Sequence, residues 1–169
     1  MTRTLILSPE RVRRTLRRLA YEVVERNRGA HNLEVFGILQ SGVPLAEALV
    51  EEINQIEGTG LVARELDVTP FRDDRDAASE AAARAPVDVT DRDVILVDDV
   101  LFTGRTARAA LDALVQFGRP RSIQLVALVD RGHREYPIQP DYVGRSIETK
   151  HRERVVVATG EDSAVYVED

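Results

Sequence analysis

Two adjacent carboxylates, Asp98 and Asp99, come directly after an apolar, β-branched run that ends at Val97. A small polar turn follows them over Thr103-Gly104-Arg105-Thr106. Carboxylates at such a place can hold sugar hydroxyls or a hydrated Mg²⁺, and a turn with glycine lets backbone N–H groups wrap an anion closely. The spacing therefore indicates a ligand that is a polyol at one end and a phosphate at the other, which is a sugar phosphate.

The elements that must position these residues are a strand before them and a helix after them. Val94 to Val97 has the pattern of a strand covered on both faces, as in a parallel sheet. Apolar residues recur at helical spacing after the turn, at Ala107, Ala110, Leu111 and Leu114. Ligands of open α/β sheets bind at the carboxyl ends of the strands, where a helix amino terminus offers unpaired N–H groups to phosphate.

Other classes of site are less well supported by the residues. The acids could simply end a strand and cap a helix, or they could be the acidic pair of a phospho-receiver domain, which lies near the start of such domains. Lys150 is the only lysine, so the Walker type of phosphate loop is excluded. His31 and His151 have no acidic or cysteine partners at ligand spacing, which argues against zinc. His133 is a candidate general base, although a histidine in a polar turn more often forms a structural hydrogen bond.

Composition limits the class of protein. The chain has 169 residues, a net charge of −6 and no cysteine. We expect a single domain over 1–169, no disulfide, no membrane span and a cytoplasmic location. The acidic balance argues against nucleic-acid binding by bulk charge, but a local basic patch remains open.

The rest of the chain alternates helices and strands. We predict a helix from Ser8-Pro9 to Gly29 and another over 43–56, with strands over 33–39, 61–71, 122–129, 154–159 and 164–167. Gln40-Ser41-Gly42 forms a tight strand-to-helix turn that could present N–H groups to an anion. The charged, alanine-rich stretch 72–86 is interpreted as a flap over the site, within a flexible loop at about 70–90, with an exposed insertion as the alternative.

The string VDDVLFTGRT (97–106), taken with LVDRGHRE (128–135), resembles the PyrR family of pyrimidine-operon attenuators, which also act as uracil phosphoribosyltransferases. ELDVTPFRDD (65–74) and DYVGR (141–145) extend the resemblance over nearly the whole chain. It implies the type I phosphoribosyltransferase fold, an α/β fold with a central, mainly parallel sheet flanked by helices, a flexible loop and a small hood. It also implies transfer of ribose 5-phosphate from phosphoribosyl pyrophosphate (PRPP) to uracil, giving UMP and pyrophosphate.

The resemblance assigns roles to particular residues. Asp98, Asp99 and Arg72 would be catalytic, and Asp130 and Arg131 would bind the base. Gln40, Ser41 and Gly42 would form the pyrophosphate loop. PRPP would be bound by the whole motif, Asp98, Asp99, Val100, Leu101, Phe102, Thr103, Gly104, Arg105 and Thr106. Mg²⁺ would be held through PRPP near the two acids, with no direct protein ligand.

A second function is implied by the same resemblance. Leader RNA of a pyrimidine operon would be bound by Arg17, Arg18, His133, Arg134 and Arg145, and the chain would form a homo-oligomer. The family's pyrophosphate loop has an arginine where this chain has Gln40-Ser41. The alternative function is therefore a UMP-responsive, RNA-binding transcription attenuator with weak or no turnover.

Overall fold

The computed structural model describes residues 1–73 and 87–169. Its helices are α1 (Pro9–Asn27), α2 (Gly42–Glu57) and α3 (Arg105–Leu114). Its strands are β1 (Arg3–Leu7), β2 (Leu33–Ile38), β3 (Arg64–Leu66), β4 (Asp93–Leu101), β5 (Ser122–Asp130), β6 (Tyr142–Ser146), β7 (Arg154–Ala158) and β8 (Ala164–Glu168). Short 3₁₀ turns lie at Thr69–Phe71 and Val115–Phe117.

Five strands form the central sheet, in the order β3-β2-β4-β5-β6, with every neighbouring pair parallel. The strand β4 lies in the middle, and its register pairs Asp93 with Leu33 and Leu101 with Asp130. All five carboxyl ends therefore meet at one edge, as the ligand-binding edge of such a sheet requires. The predicted fold class is confirmed.

Helices cover both faces of this sheet because successive strand residues point to opposite sides. One core cluster packs α1 and α2 against residues such as Val35, Ile95 and Val97. The other packs α3 against Phe36 and Leu96. Burial on both faces explains the continuous apolar runs of β2, β4 and β5.

A small antiparallel sheet, which we call the hood, has the order β1-β8-β7. The strands β7 and β8 form where late strands were predicted, over 154–159 and 164–167. The strand β1 was not predicted, because RTLIL shows no clear period in so short a run and its pairing partner β8 lies at the other end of the chain.

Local signals set most of the element ends. Ser8 caps α1 and accepts a hydrogen bond from Arg11 N, as Ser-Pro predicts, and Arg28 and Gly29 end the helix with positive φ. The strand predicted over 61–71 is wrong in length, since only Arg64–Leu66 is extended. Asp67 accepts from Thr69 N and Pro70 lacks an N–H group, so the chain turns there instead.

The predicted flap and the expected lack of a membrane span are the remaining sequence-based expectations about the fold. Residues 74–86, which contain most of the predicted flap, lie outside the described residues. Over 1–73 and 87–169, no helix is long and apolar enough to span a membrane.

Candidate active site at the end of the central strand

The two acids lie within β4 rather than after it. The strand continues through Asp98, which faces Ala127 of β5 in the register, and ends only at Leu101. Asp98 is buried and Asp99 is half-buried. The carboxyl end of β4 therefore carries the acids in a fixed strand conformation, beside the end of β5.

Burial raises the pKa of the Asp98 carboxyl well above its ordinary value, and the neighbouring Asp99 carboxylate adds to the effect. Local backbone groups supply hydrogen bonds, since Asp98 Oδ1 accepts from Asp99 N at 2.9 Å and Asp99 Oδ1 accepts from Val100 N at 2.7 Å. None of the ion pairs that the structure shows within residues 1–73 and 87–169 involves Asp98 or Asp99. The pair keeps its remaining oxygens available for a ligand.

Close packing brings the start of α2 against this end of β4. A Cβ added to Gly42 would lie 2.4 Å from Val97 O, and one added to Gly37 would lie 2.7 Å from Gly42 O. Gln40 and Ser41 are exposed on the connecting turn, where Gln40 O accepts from Val43 N. The proposed pyrophosphate loop is thus placed directly beside Asp98 by contacts that only glycine allows.

The phosphate turn, Thr103–Thr106, begins α3. Gly104 is the N-cap with a φ of 89°, and Arg105 N donates to Thr103 Oγ1 at 3.3 Å. The N–H groups of Thr106 and Ala107 have no acceptor in the part of the chain that the structure describes. Unpaired first-turn amides at a helix amino terminus are suited to an anion, and the sequence-based prediction of a phosphate site concerns this turn.

The side chain of Arg105 is engaged by other protein side chains. It donates to Glu135 at 2.8 Å and to the Tyr136 hydroxyl at 2.8 Å, and it pairs with Asp73. Tyr136 donates to Asp73, and this hydrogen bond, with the Arg105 charge, lowers the pKa of the Asp73 carboxyl. The backbone N–H groups of Glu135 and Tyr136 also bind Thr103 O, so this cluster supports the turn from outside.

Asp130, at the end of β5, is part of an internal network. Burial raises the pKa of its carboxyl, but hydrogen bonds from Arg134 and Gly132 N outweigh burial and the net pKa lies below the ordinary value. Arg134 donates to Asp130 at 2.7 Å and also to the carbonyl oxygens of Phe102 and Ile138. These contacts tie the chain after β5 to the motif after β4.

Arg131 is 6% exposed, and its burial lowers the pKa of the guanidinium. The guanidinium carbon lies 4.0 Å from the centroid of the Phe102 ring. Its nitrogens donate to Thr149 Oγ1 and to the carbonyl oxygens of Lys150 and His151. Arg131 therefore joins the end of β5 to the chain that leads into the hood.

A ring cluster that sequence reasoning missed lies at the same place. Phe102, His133 and His151 are in mutual contact, with ring centroids 5.5–5.8 Å apart. The three residues are far apart in sequence and share no motif, so only the parallel register of β4 and β5 and the path of the hood bring them together. The weak sequence signal was that His133 and Phe102 each follow the end of a buried strand.

The remaining predicted residues lie elsewhere. Arg72 is exposed and follows the Thr69–Phe71 turn, close to the limit of the described chain. Arg17 pairs with Glu52, Arg18 pairs with Glu22 and donates to the carbonyl oxygens of Val143 and Gly144, and Arg145 donates to Ile6 O. These last three arginines lie on α1 and β6, on a surface separate from the acids.

Oxygen ligands suited to Mg²⁺ are present at Asp98 and Asp99, but two carboxylates cannot complete its coordination shell. Within the described residues, no group of three or more His, Cys, Asp or Glu side chains could hold a metal ion. The donor set fits an ion whose other ligands come from a bound substrate.

Comparisons with known proteins agree with this geometry. A sequence model of the phosphoribosyl transferase domain matches residues 5–163. The chain is 50% identical over 165 residues to the "Bifunctional protein PyrR" of Bacillus subtilis, covering 94% of this chain and 91% of that one. It is 51% identical over 156 residues to the protein of the same name from Deinococcus radiodurans, covering 90% and 85%.

Solved structures share the fold at low identity. The hypoxanthine phosphoribosyltransferase of Trypanosoma cruzi aligns with a TM-score of 0.74 at 17% identity, over 96% of this chain and 95% of that one. A hypoxanthine phosphoribosyltransferase from Staphylococcus aureus aligns with a TM-score of 0.69 at 20% identity, over 86% and 77%. At such identities the likeness concerns the fold alone.

Proposed function

The chain belongs to the PyrR family of phosphoribosyltransferases, and on that premise we propose that the carboxyl end of β4 transfers ribose 5-phosphate from PRPP to uracil. The products are UMP and pyrophosphate. One observation carries the proposal. Two adjacent carboxylates stand beside a helix start, and within residues 1–73 and 87–169 the structure shows no ion pair to the carboxylates and no acceptor for the first N–H groups of the helix. A polyol that bears a phosphate satisfies both at once.

In this arrangement the phosphate turn would bind the 5′-phosphate through the N–H groups of Thr106 and Ala107 and through the hydroxyls of Thr103 and Thr106. Asp98 and Asp99 would accept hydrogen bonds from the ribose hydroxyls. Because α3 and β4 belong to one continuous strand–turn–helix unit, the two ends of the sugar phosphate are positioned by the same rigid element.

Charge separation governs the reaction. When the bond from C1′ to pyrophosphate breaks, positive charge develops on the sugar ring and negative charge on the leaving group, and N1 of uracil forms the new bond to C1′ and loses its proton. The acids would stabilise the positive charge by electrostatics rather than by forming a covalent bond. The N–H groups around Gln40-Ser41 would face the pyrophosphate, and Arg72 would add a positive charge there.

Mg²⁺ fits this site as an ion bound to PRPP. It would neutralise charge on the pyrophosphate, and Asp98 and Asp99 would hold it through hydrogen bonds to its water ligands. We also propose that 1–169 is one domain, that it forms a homo-oligomer and that it works in the cytoplasm.

The direct test is to incubate purified protein with PRPP, Mg²⁺ and uracil and to measure UMP. We expect UMP from the native chain and very little from Asp99→Asn, while titration calorimetry with magnesium still reports on PRPP binding. If the native chain binds no PRPP and makes no UMP, the proposal is wrong. UMP formation by Asp99→Asn at the native rate would show that the Asp99 carboxylate is not needed for catalysis.

A second function, RNA binding, is favoured by one surface. A groove of about 230 Å³ between α1 and β6 is lined by Leu7, Arg11, Arg14, Thr15, Gly144 and Arg145. Arg17 and Arg18 continue the basic face of α1. An overall acidic chain that concentrates arginines on one face has the charge distribution of a local nucleic-acid site, and the PyrR relatives are named as bifunctional proteins.

We expect pyrimidine-operon leader RNA to bind this face and UMP to strengthen the binding. Arg145→Gln and Arg18→Gln should each weaken affinity and reduce the salt slope by about one charge. Arg108→Gln on α3, which is on the opposite face of the central sheet, is the matched control. Equal loss in all three variants, or no salt-sensitive RNA binding, would reject this surface.

A further inference from the structure

The chain that follows β3 is fastened to α3, the helix that begins at the phosphate turn. Phe71 is half-buried and packs against the core cluster that contains α3. Asp73 accepts a hydrogen bond from the Tyr136 hydroxyl at 2.8 Å and pairs with Arg105, the first residue of α3. Arg72 therefore stands between two residues that are each held against the same helix.

Tyr136 joins this anchor to the phosphate turn. Its backbone N–H donates to Thr103 O at 3.0 Å, while its hydroxyl donates to Asp73 and accepts from Arg105 Nη1, each at 2.8 Å. A carboxylate can only accept, so the phenol supplies the proton of the bond to Asp73. That bond raises the pKa of the Tyr136 phenol, which keeps the donor protonated. One residue thus contacts the turn, the helix and Asp73.

The Arg105 guanidinium completes the cluster. Its carbon lies 4.6 Å from the centroid of the Tyr136 ring, and its Nε donates to Glu135 at 2.8 Å. A planar guanidinium can bind carboxylates along its edges and stack on an aromatic ring at the same time. The cluster is therefore fixed to the helix start whose N–H groups would bind the 5′-phosphate.

Hydrogen bonds and charge, rather than close packing, hold the side chain of Asp73. This side chain is 37% exposed and lies at an open cavity of about 500 Å³. The residues that line the cavity are Asp73, Arg108, Leu111, Tyr136, Pro137 and Ile138. The neighbouring cation, Arg108, pairs with Asp112 instead. Loss of the Tyr136 hydroxyl should therefore loosen Asp73 without leaving a cavity in the core.

We propose that Tyr136 is a positioning residue that acts through Asp73 to hold Arg72 in place for the charge that develops on the leaving pyrophosphate. This inference rests on the proposed transferase function and on the role of Arg72 in it. Negative charge on the pyrophosphate grows as the bond to C1′ breaks, so a cation held there favours the transition state over bound PRPP. An Arg72 that is free to move would have to be ordered again in each turnover, which lowers kcat.

Tyr136→Phe is the sharpest variant, because it removes one hydroxyl and keeps both the ring and the backbone bond to the phosphate turn. We expect kcat for UMP formation to fall about three- to tenfold, as for the loss of one typical hydrogen bond. The Kd of PRPP with Mg²⁺, measured by titration calorimetry, should stay within about twofold. Tyr166→Phe is the matched control, since Tyr166 also packs against an arginine, Arg3, but lies in the hood. It should change neither quantity.

A double-mutant cycle tests whether Tyr136 acts through Arg72. Arg72→Gln alone should lower kcat at least as much as Tyr136→Phe does. In the Arg72→Gln background, Tyr136→Phe should change kcat by less than about twofold, because no cation is left to position. Asp73→Ala removes the other partner of the hydrogen bond and should resemble Tyr136→Phe, again with little further effect once Arg72 is replaced.

Each outcome decides a separate question. A native chain that binds no PRPP and forms no UMP refutes the proposed function. In an active native chain, a native kcat in Tyr136→Phe refutes only the positioning role, and so do effects of Tyr136→Phe and Arg72→Gln that multiply. A parallel loss of PRPP affinity in Tyr136→Phe would show that the hydroxyl shapes the phosphate turn itself and would also overturn the proposal. If Tyr136→Phe does not fold, the cycle of Asp73→Ala with Arg72→Gln carries the same test.

Discussion

The strand β4 has acidic residues at both of its ends, and the surroundings shift the carboxyl pKa in opposite directions at Asp93 and at Asp98. Asp93 begins the strand and is surrounded by partners, accepting hydrogen bonds from Asn32, Ser122 and Arg121. These bonds, led by the one from Arg121, lower the pKa of the Asp93 carboxyl to about 2. Asp98, five residues later, is also buried, but burial and the neighbouring Asp99 carboxylate raise the pKa of its carboxyl.

The difference separates a residue that stabilises the fold from residues that act on a ligand. A buried carboxylate with a cation and neutral donors contributes stability, whereas one without them costs stability and persists where a ligand uses it. Both residues are little exposed, so exposure alone does not explain the contrast. At the amino end, side chains of the loops before β2 and β5 donate to Asp93 and outweigh the effect of burial on its pKa, whereas the carboxyl end faces the phosphate turn.

Replacing an acid at the carboxyl end should give the largest effect in this comparison, and it should be on activity. We expect Asp99→Asn to lower kcat/KM by roughly 100- to 1,000-fold, since it removes charge that stabilises the transition state. The measurement is steady-state UMP formation at saturating Mg²⁺. Asp93→Asn is the matched control, and folded Asp93→Asn protein should retain native kcat. A similar loss in both variants would contradict the division between the two ends.

The same substitution at the amino end should act on stability. Asp93→Asn loses the charge-assisted bond to Arg121, and we expect the free energy of unfolding at pH 7 to fall by about 2 kcal/mol. Arg121 is largely exposed, so solvent screening keeps the loss below that of a fully buried pair. Urea unfolding measures it, with Asp112→Asn as control, because the exposed Arg108–Asp112 pair should contribute only about 0.5 kcal/mol or less. If Asp112→Asn lost as much free energy of unfolding as Asp93→Asn, the amino end of β4 would have no special role in stability.

Acid should reveal the contribution of Asp93 without any mutation. Its folded pKa of about 2 lies below the ordinary value of 3.8, so the folded state binds the proton less readily than the unfolded state. The stabilisation is therefore complete above about pH 5 and is lost as the pH falls toward 2, by about 2 kcal/mol in total. Unfolding free energies of the native chain and of Asp93→Asn should converge over that window. Curves that stay parallel down to pH 2 would exclude Asp93 as their cause.

Sequence patterns predicted the carboxyl end of β4 better than the amino end. An apolar run followed by two acids, a TGRT turn and a helical period is a local signal, and the structure brings those parts together as expected. Asp93 attracted no attention because its partners, Asn32 and Arg121, come from other loops and have no common spacing. Arg131 and His133 were named as candidate site residues, but their contacts with Thr149–His151 were not predicted, because these partners lie 16–20 residues away, beyond β6.

The smallest expected effect on stability is that of Asp98→Asn, and it should be an increase rather than a loss. The folded state holds a proton on Asp98 above the pH at which the unfolded chain releases it, because burial and Asp99 oppose its ionisation. The stability of the native chain should thus decline as the pH rises from about 4 toward the raised pKa. Asparagine does not ionise and can still accept from Asp99 N, so the variant should avoid that decline.

At pH 7–8 we expect Asp98→Asn to have a higher free energy of unfolding than the native chain. The gain should be smaller than the free energy that Asp93→Asn loses, while UMP formation falls sharply. Urea unfolding at pH 5 and pH 8 measures the difference, and a variant less stable than the native chain at pH 8 would mean that Asp98, like Asp93, serves the fold.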